Sequence, residues 1–212
     1  MLHIRQFMAV LVLAVLGMVG CADKSLVVAA PNLADVADTK AAMRELWAGH
    51  IFWIRNVVFD NATGNPAARD IADKEVVANA KQIAGTISPF YGVAASDKLF
   101  TLLADHYGAI KAYSDATIVG DKPQEDAALA HLASNADDIA VFLSEANPYL
   151  PKDTVRGLIA AHGAHHVAQI IQLQEHDYRR EAQTWRVMRQ HVDLIANALT
   201  TAIAKQFPAK FS

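Results

Sequence analysis

Nine histidines and one cysteine are the residues of this 212-residue chain whose chemistry stands out. His162 and His166 lie four apart, a spacing that puts two imidazoles on one face of a helix, able to reach one metal ion. His50 falls within the apolar series Met43, Trp47, Ile54 and Val57. His106 falls within Leu99, Leu102, Leu103, Ile110 and Tyr113, and His191 lies beside Met188, Val192 and Ile195. Imidazoles so placed face inward or edge the buried side. Several meeting in an apolar core would repel one another if protonated, whereas neutral rings can share a divalent transition metal (Zn, Fe or Cu) or a haem iron. Two other chemistries fit the same residues: a hydrogen-bonded structural layer with no cofactor, and a pocket for an organic ligand.

The elements that must position these rings are helical. Apolar residues recur every three or four positions and strict alternation is scarce. The pattern predicts six helices, the first over about 39–60 and the last over about 179–206, punctuated by Asn61-Ala62-Thr63-Gly64, Ser88-Pro89, Gly120-Asp121-Lys122-Pro123, Asn147-Pro148 and Pro208. Asn65, Ser96 and Asp153 or Thr154 read as N-caps. The last two helices could also be continuous, since neither Gly nor Pro separates them. Short links make neighbours antiparallel, so the expected fold is an all-α, up-and-down antiparallel bundle of four to six helices over residues 39–212. Four of the helices have midpoints near residues 50, 107, 165 and 192. His50, His106, His162, His166 and His191 would therefore share one level. The fourth long helix brings Asn135, His131 and Asp138 near that level as reserve or supporting groups. Arg55 would pair with Asp105 or Asp138, or receive an anion.

The first twenty residues read as an address. His3 and Arg5 precede the apolar run 7–19. As a helix it spans about 20 Å, short of the ~30 Å bilayer core. Met18-Val19-Gly20-Cys21 resembles a lipobox, in which Cys21 is acylated and becomes the mature N-terminus. Ordinary secretion and an uncleaved anchor are the alternatives. The expected plan is a signal peptide over 1–20, a tether over 21–38 and a bundle held by lipid on the periplasmic side, with Ala22 favouring the outer membrane. The formal charge of −3 excludes a strongly basic nucleic-acid binder, and a single cysteine excludes an intrachain disulfide. A Glu-x-x-His di-iron pattern, a phosphate loop and a Gly-x-Ser-x-Gly elbow are absent from the sequence, which leaves no reaction to assign.

Leu46-Trp47 with His50, Trp53 and Arg55, then Pro89-Phe90-Tyr91-Gly92, His106, Asn135-Ala136-Asp137-Asp138-Ile139, Phe142-Leu143, Asn147-Pro148, His162 and Lys205-Gln206-Phe207-Pro208, together resemble an uncharacterised family of bacterial helical-bundle proteins. The likeness covers roughly residues 43–211 and implies a compact bundle. That family has a carboxylate where this chain has Gln169. A shorter likeness, His162 to Ile170, is similar to the last His-x-x-x-His motif of DinB-like bundles, which implies three metal-holding histidines and, in some of those proteins, thiol-dependent transfer. Val167-Ala168 departs from the Arg-Gly usual there. The sequence-level expectation is thus a lipid-anchored metal- or haem-binding bundle. The alternatives are a cofactor-free envelope interaction protein and a metal-dependent transferase.

Overall fold

Residues 30–211 are described in a computed structural model, and no strand occurs among them. The signal segment, Cys21 and the tether up to residue 29 lie outside the described residues. Seven helices follow in order: α1 Leu33–Ala62, α2 Pro66–Gly85, the single turn α3 Ser88–Tyr91, α4 Val93–Val119, α5 Lys122–Ala146, α6 Lys152–Gln174 and α7 Tyr178–Gln206. This is the expected all-α bundle. None of these helices is long and apolar enough to cross a membrane.

Several helices start earlier than expected, because other residues occupy their N-cap positions. Asn32 accepts from the Ala34 N–H at 3.0 Å, so α1 begins at Leu33 and residues 33–38 are helix rather than tether. Asn65 caps α2 as expected, accepting from the Ala68 N–H at 3.3 Å. Ser96 is no cap: α4 already begins at Val93, and the Ser96 hydroxyl donates to the Ala84 carbonyl at 3.0 Å, joining α4 to α2. Neither Asp153 nor Thr154 caps α6, which starts after Pro151, a residue whose fixed φ pre-organises the first turn. The α6–α7 junction is a true break. His176 adopts φ 55°, and Asp177 accepts from the Arg180 N–H at 3.0 Å to start α7.

The packing order explains how the centre is built. Around the outside the neighbours run α1, α2, α4, α5, α6, α7 and back to α1, a closed ring. Inside that ring α1, α4 and α6 also touch one another. Short links reverse the chain at each step, so these three run parallel. The Asn32 N–H donates to the Phe211 carbonyl at 2.6 Å, closing the ring where the first and last long helices meet. At Gly163 the approach of α6 to α5 is so close that a Cβ would stand 3.1 Å from Leu132 Cδ2.

The apolar core falls into two clusters. One holds Met43, Trp47, Ile51, Leu99, Leu103, Ala136, Ile139, Ile159 and Ile195. The other holds Ile54, Val57, Tyr107, Ile110, Leu132, Ile170 and Leu173. Along every inner helix the change from one cluster to the other occurs beside a histidine.

Candidate metal centre

His50, His106, His162 and His166 stand at that boundary, one or two from each inner helix, and each is 2% exposed or less. His162 is the hub. Its ring centroid lies 5.8 Å from that of His50, 5.7 Å from His106 and 4.6 Å from His166. Two imidazoles on one tetrahedral ion have centroids roughly 5 Å apart, given metal–nitrogen bonds of about 2 Å. The observed separations bracket that value. Among the described residues no three His, Cys, Asp or Glu side chains are already gathered in metal-binding geometry, so the rings would have to turn to converge on an ion.

Burial decides the protonation state. It pushes His50 down to about 3, reinforced by the neighbouring His106 and opposed by the Asn79 side chain. It pushes His106 down to about 4, against the Asn135 hydrogen bond and the Asp105 charge. His162 and His166 lie well below the ordinary imidazole range, first through burial, then through His166, His106 and His50 for His162 and through His50, His106 and His165 for His166. All four rings are neutral at pH 7, the form that binds a metal.

One tautomer follows from the hydrogen bonds. The Asn135 amide nitrogen donates to the Leu102 carbonyl at 3.0 Å and to Asp105 Oδ2 at 2.9 Å, both pure acceptors. Its oxygen therefore faces His106 Nδ1, at 2.9 Å, and that nitrogen carries the proton. His106 Nε2 is left with a bare lone pair and no hydrogen-bond partner. Orientation of a ring through its far nitrogen is the usual support of a metal-bound histidine. Across the four rings, six buried nitrogens have no partner: His50 Nδ1, His106 Nε2 and both nitrogens of His162 and His166.

The remaining sequence-level candidates are placed differently. Asp138 is exposed, because Asn135 and Ile139 take the inward positions of α5 and leave the carboxylate in solvent, where it is cheaper to keep. His131 is also exposed and pairs with Asp105 at 3.0 Å. His191 stands at the rim: its Nε2 donates to the Leu158 carbonyl at 2.8 Å and its ring packs on His165, outside the four-ring group. Arg55 pairs with neither Asp105 nor Asp138. It makes a two-pronged ion pair with Glu181, at 2.6 and 2.8 Å, with its guanidinium carbon 5.3 Å from the Trp185 ring centre.

Glu181 and Gln169 are the participants that the sequence reading did not assign. Gln169 lies on the His162–His166 face of α6, is fully buried, and donates to Glu181 Oε1 at 2.9 Å. Burial pushes the Glu181 carboxyl up, but the Arg55 guanidinium and the Gln169 amide together hold it below the usual range. The spacing of Glu181 with Trp185, Met188 and Val192 already put it on the apolar stripe of α7. A carboxylate in such a stripe signals a buried ion pair. The polar layer thus runs from Arg55 and Glu181 on one side, through Gln169 and the histidines, to Asn135, Asp105 and His131 on the other.

No family profile, curated protein or solved structure matches this chain.

Proposed function

We propose that this protein binds one divalent transition metal ion at the centre of its bundle, through His50, His106, His162 and His166. The observation that carries the reading is the set of six unpartnered ring nitrogens on four neutral imidazoles, three of them gathered around the ring of His162. Each unpaired buried polar group costs about 1–3 kcal/mol, and buried polar groups in native proteins are otherwise nearly always satisfied. A bound ion would satisfy up to four of these atoms at once, and imidazole ligation suits zinc, copper and iron. Fixing of the His106 tautomer by Asn135 supports the same reading. The close spacing of the rings favours an ion over a haem, whose macrocycle would have to separate them. Their deep burial favours binding or storage over a DinB-like transfer, which needs an open ligand position and a cleft to solvent.

We further propose an envelope location, reading Cys21 as an acylated N-terminus and the bundle as a periplasmic lipoprotein. Metal analysis and cobalt substitution test the centre. Purified protein should take up one equivalent of Co²⁺ with visible ligand-field absorption, lost in a His50→Gln/His162→Gln variant. Its melting temperature should rise with Zn²⁺. An unchanged melting temperature and no cobalt spectrum would leave the cofactor-free structural layer as the better account. For the anchor, Cys21→Ser should move the protein from the membrane to the soluble fraction, and unchanged partition would refute acylation.

A further inference from the structure

An apolar cavity of about 30 Å³ lies in the half of the core that contains Trp47. The lining side chains are hydrophobic, with Trp47, Ile139, Ile159, Ile195 and Leu199 among them, and the Trp47 indole N–H is the one polar side-chain group they carry. Water needs only about 10–15 Å³ but also two or more polar partners, and an apolar cavity of this kind stays dry. Trp47 is common to this cavity and to the histidine centre: its ring stands 5.6 Å from that of His50 and 5.8 Å from that of His162. At the opposite side, Leu150, Val155, Leu158 and Ala198 line both the cavity and a surface groove of about 290 Å³ between α6 and α7. The dry space thus shares four side chains with a surface groove and shares Trp47 with the surroundings of the imidazoles.

We propose that the cavity takes up a small apolar diatomic molecule of dioxygen's size, entering past Ala198 and held beside the histidine centre. The apolar lining and small volume select the guest: ions and polar metabolites would be stranded without partners, and larger hydrocarbons would not fit. The role of this space as a supply of such a molecule to a bound metal rests on the metal reading above. Occupancy of the cavity does not.

Dissolved dioxygen is paramagnetic and speeds the relaxation of nearby methyl protons, so it is both guest and probe. The full chain, metal-free and zinc-loaded, is compared under nitrogen and under dioxygen. The methyls of Ile83, Ile139, Ile159 and Ile195, which line the cavity, should relax several-fold faster than those of Ile51, Ile54 and Ile110, which are as deeply buried but do not line it. Xenon should shift the same cavity methyls in a saturable way. Ala198→Phe should slow or abolish both effects. Equal enhancement at all seven isoleucines, in wild type, overturns the proposal without reference to the variant. Enhancement in the cavity of a protein that binds no metal would retain the guest site and refute the metal reading. Metal uptake with no preferential enhancement would do the reverse.

Discussion

Replacement of His162 by leucine should stabilise the metal-free protein and abolish its response to metal, two effects of opposite sign from one substitution. The magnitude follows from the site. Both ring nitrogens of His162 are buried without a partner. Removing them relieves about 1–3 kcal/mol each, and a leucine of similar size repacks at a cost below about 1.5 kcal/mol. The layer sits between two apolar clusters that already surround the ring, so the net gain should be about 2 kcal/mol. In a chain of this length that raises the melting temperature by roughly 4–8 °C. Urea unfolding followed by helical circular dichroism, in chelator and again with excess Zn²⁺, measures both halves. Wild type should be less stable than His162→Leu in chelator and gain stability with zinc, whereas the variant should not respond. If the variant is instead destabilised by 1 kcal/mol or more in chelator, His162 makes favourable hydrogen bonds in the metal-free protein and the reasoning fails.

Three further outcomes follow from the same geometry. Metal-free protein should weaken with acid: the folded rings bind protons only near 3 for His50 and 4 for His106, whereas unfolded imidazoles bind them near 6.5. The unfolded state therefore takes up more protons below 6.5, and stability that is complete above that pH falls by about 1 kcal/mol per buried histidine between pH 6.5 and 5.5, read from urea midpoints. Asn135→Ala frees the His106 ring and should lower zinc affinity by about 10–100-fold in a competition titration, while the fold survives. Arg55→Ala strands Glu181 inside the bundle and should cost about 3 kcal/mol, largely restored when Glu181→Gln is added; a double variant no more stable than the single one would show that the pair is not the source of the loss.

The histidine layer was legible because two simple patterns coincide. Each of His50, His106, His162 and His166 lies on an apolar stripe, and each lies near the middle of a helix. In an up-and-down bundle of similar helices those two facts place them at one depth. What was not legible depends on azimuth and partner choice. Asp138 shares a level with Asn135 but not its direction, and an unpaired carboxylate remains in water. For Arg55 the sequence pointed to Asp105 or Asp138, and only packing of α7 against α1 selects Glu181. The break at His176 carries no Gly or Pro, because histidine itself takes the left-handed conformation there. Ser96 has a cap's residue type, yet its hydroxyl serves the neighbouring helix. That α1, α4 and α6 are the three ring members that also meet at its centre is a property of the ring of contacts, which no single helix pattern encodes.

The most direct test of the central claim is X-ray absorption spectroscopy of the zinc-loaded full chain. The account predicts one zinc per chain, with nitrogen or oxygen neighbours at about 2.0 Å and the outer-shell signature of three or four imidazoles. That signature should fall by one imidazole in His106→Gln. A spectrum of hydrated zinc, or one unchanged by substitutions at His50, His106, His162 and His166, would contradict it.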